Sequence, residues 1–166
     1  MIPTPIVRGD LVFVAAGYNK GGALLRQVAG SDGTVKVEEV YGLKTSLNNK
    51  HGGIVLIGEY LYADTNDGGT PYCAELMTGK QQWKERGSGS GSAAMTAADE
   101  HLYIRFANGK MVLAEANPKA YKEISSFKIP GATGKPPSWS HPVVCNGRLY
   151  LREQDKIFCY DIKNGQ

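Results

Sequence analysis

Four copies of one short phrase constrain the fold of this chain more than any other feature of its sequence. The copies read DLVF at 10–13, EYLY at 59–62, EHLY at 100–103 and GRLY at 147–150, and each ends on an aromatic side chain. The four aromatic residues are Phe13, Tyr62, Tyr103 and Tyr150, at spacings of 49, 41 and 47 residues. A period in the forties with short alternating strands predicts the blades of a β-propeller or the units of a related solenoid. Each such unit buries its face only against a neighbour.

The local pattern between these copies predicts strands and tight turns. Residues 102–105 and 149–152 contain β-branched or aromatic side chains, and each run is flanked by glycine, asparagine or aspartate, as is typical of strands. Asn108-Gly109 and Asn146-Gly147 predict type I′ hairpin turns, in which both central residues need positive φ. No stretch has a helical period with caps. We therefore predict an all-β fold with blades of four antiparallel strands.

The repeats divide the chain into one repeat domain, residues 1–166. The predicted blades cover approximately residues 4–47, 48–88, 89–132 and 133–166. A glycine-serine run at 86–92 has the composition of a flexible linker, but the strand phase continues on both sides, which favours a loop between blades. The fourth copy contains only three strands. The sequence thus predicts about four blades, the last one incomplete, as half of an eight-bladed ring.

Composition narrows the classes of partner. The net charge is +3, and basic residues are interleaved with acidic ones, whereas a nucleic-acid surface normally clusters them. No run approaches the roughly 18 apolar residues of a membrane helix, so no membrane insertion is expected. The first five residues lack the basic and apolar regions of a signal peptide, and we expect none in this chain. Cys73, Cys145 and Cys159 form no CxxC pair and are interpreted as small buried apolar residues.

A longer motif follows the second aromatic position. Residues 73–83 place Glu75, Thr78, Gly79 and Trp83 at the spacing of an acid, a Thr-Gly turn and a docking tryptophan. The acid and the hydroxyl can satisfy donors in a tight turn, glycine supplies positive φ, and the indole can pack between blades. A degraded copy near the end retains Asp161. This motif resembles the repeat signature of the PQQ-like (pyrroloquinoline-quinone repeat) β-propellers, and the resemblance spans essentially the whole chain.

The resemblance implies two possible functional classes. Quinoprotein dehydrogenases of this group bind the quinone and Ca²⁺ over the propeller axis and use an adjacent Cys-Cys pair, which this sequence lacks. Other members are cofactor-free scaffolds that bind proteins, and many are bacterial exported propellers. The resemblance therefore favours a non-catalytic scaffold or protein-binding module without cofactor, periplasmic or exported if the parent protein follows the family. The alternative is part of a quinone- or metal-dependent oxidoreductase propeller.

Three residues are candidates for contacts at the axial mouth of the propeller. His51, Trp139 and His141 all precede a predicted first strand, so their loops are expected near one end of the axis. A metal site with Asp64 is conceivable, but loop histidines bonded to the backbone are the simpler interpretation. Trp139 is interpreted first as a packing residue, and it is also the best candidate in the sequence for a small-molecule contact. Because the last blade is incomplete, we expect either another copy of the chain, giving an eight-bladed homodimer, or a different protein partner.

Overall fold

The computed structural model describes residues 3–135 and 137–163, and within them the fold is all-β. Fifteen strands form four separate antiparallel sheets. One 3-10 turn, Thr45–Leu47, connects the first two sheets, and no α-helix occurs in the described ranges. These sheets confirm the predicted all-β architecture of about four blades, whereas the blade boundaries and the eight-bladed ring stay predictions.

Each sheet follows the order of its strands along the chain. Sheet 1 contains β1 (Ile6–Arg8), β2 (Leu11–Ala16), β3 (Gly21–Ala29) and β4 (Val35–Lys44). Sheet 2 contains β5 (Val55–Ile57), β6 (Tyr60–Asp64), β7 (Pro71–Glu75) and β8 (Gln81–Lys84). Sheet 3 contains β9 (Ala93–Ala98), β10 (His101–Phe106), β11 (Lys110–Glu115) and β12 (Glu123–Lys128). Sheet 4 contains three strands, β13 (Val143–Cys145), β14 (Arg148–Glu153) and β15 (Lys156–Asp161).

Three apolar cores join the sheets in sequence order. Because side chains alternate between the two faces of a strand, one residue of a central strand meets the preceding sheet and the next residue meets the following one. Leu61 thus lies in the core with sheet 1, and Tyr62 lies in the core with sheet 3. Leu149 and Leu151 of sheet 4 pack against Met111 of sheet 3.

The two end sheets each retain one face outside these cores. In sheet 1, Leu11, Phe13 and Ala15 are buried against sheet 2, so Val12 and Val14 point the other way. We define the free face of sheet 1 by residues that share this side through strand pairing: Val7, Val12, Val14, Leu25 and Val37. Val7 retains 64% exposure.

The corresponding free face of sheet 4 is more polar. Leu149 and Leu151 are buried against sheet 3, so the alternate residues of β14 and their paired neighbours point away. This free face is defined by Val143, Tyr150, Arg152, Ile157 and Cys159. Ile157 is 74% exposed. Each end of the array therefore presents one uncovered sheet face.

Two details of the sequence prediction are wrong. Asn146 (φ 51°) and Gly147 (φ 71°) form the expected pair of left-handed residues, but at Asn108-Gly109 only Gly109 is left-handed, with φ 81°. The Gly109 amide bonds the Phe106 carbonyl at 2.9 Å, and the Asn108 side chain accepts from Lys110 N at 3.1 Å. This connection is the longer hairpin loop that ends on a left-handed glycine.

The cysteines also differ from the prediction. Cys73 is buried between sheets 2 and 3 as expected, and burial raises the pKa of its thiol to about 12. Cys145 and Cys159 are instead exposed. Cys159 occupies in sheet 4 the strand position of Cys73 in sheet 2, opposite Tyr150 as Cys73 is opposite Tyr62. Its exposure follows from the uncovered face of sheet 4.

Candidate functional site

The motif residues form a tight turn after β7. The Thr78 hydroxyl donates to Glu75 Oε2 at 2.6 Å and accepts from the Lys80 amide at 3.2 Å. Gly79 has φ 62°, and its amide donates to the Glu75 carbonyl at 2.8 Å. A Cβ at Gly79 would lie 3.0 Å from Leu47 and Tyr41, so the turn is closely packed against sheet 1. The geometry gives these residues a structural task in the turn.

Trp83 joins sheet 2 to sheet 3. Its side chain is 7% exposed, and its ring lies 5.4 Å from Tyr121 and 6.1 Å from Tyr62. The indole Nε1 donates to the Asn117 carbonyl at 2.8 Å. A buried indole gains both packing area and a partner for its N–H in this position. Asp161, the degraded motif copy, accepts from the Lys163 amide at 3.0 Å.

The three candidate residues of the axial mouth lie together. The rings of His51 and Trp139 are stacked at 4.4 Å with an interplanar angle of 13°. His141 Nε2 donates to the His51 carbonyl at 2.8 Å, and His51 Nδ1 lies 2.6 Å from the Ser92 hydroxyl. We call these four residues the inner-loop cluster, because each lies in a loop that leads into the first strand of sheet 2, 3 or 4.

The chemistry of the inner-loop cluster is that of a packed polar contact. Burial lowers the pKa of His51, and the nearby Lys50 charge acts in the same direction, so the ring is neutral at pH 7. A neutral histidine beside a serine resembles a nucleophile and its base. Ser92, however, is only 4% exposed, so its hydroxyl does not face solvent. Trp139, 49% exposed, and His141, also exposed, form the accessible surface of the cluster.

Asp64 serves a contact between sheets. It is fully buried, and its Oδ2 accepts from the Ala93 amide of sheet 3 at 2.8 Å. Burial raises the pKa of this carboxyl to about 7, although the amide donors oppose the shift. No group of three or more His, Cys, Asp or Glu residues suited to a metal occurs in the described residues. The side-chain contacts of Asp64 therefore link two sheets.

A buried ion pair that the sequence prediction missed joins sheets 3 and 4. Arg105 donates to the Glu153 carboxylate, and the two side chains are 0% and 7% exposed. Arg105 Nη1 also donates to the Ser138 carbonyl at 2.6 Å and to the Ser140 carbonyl at 3.3 Å. Burial lowers the pKa of Arg105, and the Glu153 charge opposes that change. One available signal was the charged residue that follows three of the four repeat aromatics by two positions.

Comparisons with known proteins agree on the fold. A family model described as outer membrane protein assembly factor BamB matches residues 2–85. The crystal structure of BamB from Moraxella catarrhalis is 18% identical, with a TM-score of 0.63, and the match covers 95% of this chain and 41% of that one. The computationally designed Ika8 protein is 9% identical with a TM-score of 0.57, over 95% of this chain and 57% of that one. No curated protein matches the chain.

These matches set the scale of the similarity. The chain spans less than half the length of the Moraxella structure. At 18% and 9% identity, the likeness to the two solved structures concerns the fold alone. No helix in the described part of the chain is long and apolar enough to cross a membrane.

Proposed function

The chain belongs to the family described as outer membrane protein assembly factor BamB, a family of PQQ-repeat β-propellers, and on this premise we propose that it is a non-catalytic scaffold that binds proteins. The observation that carries the proposal is the pair of uncovered sheet faces at the two ends of the array. Uncovered faces with several apolar side chains typically mark interaction surfaces. The motif residues and the inner-loop cluster are structural in this proposal.

The finer proposal is that the chain binds a second copy of itself. We call the side of a sheet that packs against the next sheet in the chain its following face, and the opposite side its preceding face. At every junction inside the chain, the following face of one sheet packs against the preceding face of the next. The free face of sheet 4 is a following face, and the free face of sheet 1 is a preceding face. A head-to-tail contact of this kind gives a closed ring when the rotation from one chain to the next is a whole-number fraction of a full turn. Two half-rings would then form one eight-bladed ring.

The family also suggests a compartment. The name of the family refers to assembly of outer membrane proteins. We propose that the parent protein is bacterial and acts in the periplasm or another exported location. Fractionation of cells that express the complete native gene would test this, with recovery in the cytosol as the contradicting result.

Self-association is tested by sedimentation velocity over a range of concentrations. We expect a species of twice the 17.9 kDa chain mass, and the substitution Val12→Glu should shift it to single chains because it buries a charge in the proposed contact. Ile124→Glu is the matched control, because Ile124 is exposed on β12, the outer strand of sheet 3. Equal dissociation in both variants would contradict the proposed contact.

A further inference from the structure

One repeat position carries a polar link at two of the three junctions between sheets, and at the first junction it is Ala15. It is the second residue after the aromatic of the repeat, which is Asp64 in sheet 2, Arg105 in sheet 3 and Arg152 in sheet 4. Asp64 and Arg105 both project onto the sheet that follows, where Asp64 bonds the first residue of β9 and Arg105 bonds the segment before β13. We call this position the link position.

The two filled link positions use opposite chemistry. Asp64 is an acceptor, and it takes the amide proton of Ala93. Arg105 is a donor, and it uses the carbonyls of Ser138 and Ser140 together with the Glu153 carboxylate. The chemical type of the link residue therefore specifies which backbone group the next sheet must present.

Arg152 occupies the link position on the free face of sheet 4. Its strand neighbour Tyr150 pairs with Cys159 as Tyr103 pairs with Leu113, so the two strands have the same register. Arg152 is exposed, and its Nε donates to the Gln154 carbonyl. Together with Ser138, Trp139 and Ser140, the side chain lines a shallow open cavity. The position is thus accessible to an incoming chain.

Strand register identifies what sheet 1 presents to such a residue. Val7 pairs with Val12 in sheet 1 as Val144 pairs with Leu149 in sheet 4. Counting four residues back from Val144 gives Ser140, a carbonyl partner of Arg105, and the same count from Val7 gives Pro3. Glu153 lies four residues after Leu149, and the residue four after Val12 is Ala16, which therefore holds the Glu153 position in sheet 1.

Proline makes this position selective. It has no backbone N–H but keeps its carbonyl oxygen. Pro3 has no amide proton to donate to a carboxylate at the link position, as Ala93 donates to Asp64. Its carbonyl oxygen can accept from a guanidinium, as the Ser140 carbonyl accepts from Arg105. The donor Arg152 and the acceptor-only Pro3 are complementary. The Pro3 backbone also lies beside Gly52, in the segment before β5 of sheet 2.

We propose that Arg152 of one copy binds the segment entering β1 of a second copy, with its guanidinium donating to the Pro3 carbonyl. The inference rests on the proposed self-association and names the residue that orients it. Ala16 leaves this contact without the carboxylate that Arg105 finds in Glu153. The contact between copies is consequently weaker than the junction between sheets 3 and 4.

The test uses dissociation constants from sedimentation equilibrium of the full 166-residue chain. Arg152→Ala should weaken dimerisation by about a hundredfold, because the closed dimer contains this contact twice and loss of each charged hydrogen bond costs about a factor of ten. Ala16→Glu should strengthen it by a similar factor, because it supplies the missing carboxylate. The double variant should lose that gain. Arg86→Ala, in the exposed loop between sheets 2 and 3, is the matched control and should change nothing.

The outcomes separate the two proposals. A wild-type chain that stays single at every concentration overturns both self-association and the role of Arg152. A dimer that Val12→Glu dissociates, but that neither Arg152→Ala nor Ala16→Glu changes, supports self-association and overturns the role of Arg152. Far-UV circular dichroism of each variant shows that it is folded, and the gain expected for Ala16→Glu cannot arise from unfolding.

Discussion

The junction between sheets 2 and 3 and the junction between sheets 3 and 4 use the same strand geometry with different side chains. The first contains Trp83 and Phe106 in a large apolar core. The second has a smaller buried core around Met111 and Leu151 and adds the buried pair of Arg105 and Glu153. Ser125 in sheet 3 stands opposite Leu113 where Trp83 in sheet 2 stands opposite Cys73, so the second junction has no tryptophan at that place.

The comparison separates what the repeat requires from what it leaves open. Spacing and strand order are common to both junctions, and they place consecutive sheets face to face. The groups that hold the faces together are set junction by junction: an indole and a carboxylate–amide bond in one, an ion pair with two carbonyls in the other. Specificity for the neighbouring sheet therefore resides in the junction residues.

The largest expected effect is at the apolar junction. Trp83→Ala should lower the free energy of unfolding by about 4 kcal/mol, because it leaves a cavity and removes the bond to Asn117. Ser125→Ala, at the corresponding place in the other junction, is the control and should be close to neutral because Ser125 is exposed. Urea unfolding measures both. Similar losses in the two variants would show that the junctions do not differ in this way.

The next effect is at the ionic junction. Glu153→Gln should cost about 3 kcal/mol in urea unfolding, because it leaves the buried Arg105 charge without its counter-ion. The double variant Arg105→Met, Glu153→Leu should recover part of the loss, since an apolar pair needs no counter-ion but leaves the Ser138 and Ser140 carbonyls without the Arg105 donor. Glu59→Gln, which breaks the exposed pair with Arg8, is the control. Failure of the apolar pair to recover stability would contradict this view of the junction.

The sequence predicted the junction between sheets 2 and 3 better than the junction between sheets 3 and 4. The repeat period and the motif predicted the blades, the PQQ-like family and the docking of Trp83, and the structure and family match confirm the fold and the family. The pair of Arg105 and Glu153 was missed because its members are 48 residues apart and meet only through strand register. The exposure of Cys159 was missed because burial depends on whether the next face is covered.

A pH-dependent effect should distinguish the junctions further. The folded pKa of Asp64, about 7, lies above its ordinary value of 3.8, so the folded chain binds this proton more tightly than the unfolded chain. The resulting stabilisation is complete below about pH 4 and is lost as the pH rises to 7, by at most about 1.4 kcal/mol per pH unit. Asp64→Asn should remove this component from the variant, so the difference in stability between wild type and variant should change between about pH 4 and pH 7. Parallel curves would contradict the assignment.

The smallest effect concerns reactivity and leaves stability unchanged. At concentrations at which the chain is single, Cys145 and Cys159 should react quickly with a thiol reagent, whereas Cys73, whose burial raises its pKa to about 12, should react only after unfolding. Raising the protein concentration should slow the reaction of Cys159, because self-association covers its face. The variant Val12→Glu gives the rate for the uncovered face. Equal rates for Cys73 and Cys159 would contradict the difference between filled and free junctions.

The central claim is that the free faces of sheets 1 and 4 cover each other between two copies. Small-angle X-ray scattering of the 166-residue chain tests it most directly, because one measurement gives both mass and shape. The claim predicts a mass of twice 17.9 kDa and the pair-distance distribution of a closed disc. A mass of one chain at every concentration, or a series of growing assemblies without a closed two-chain species, would contradict it.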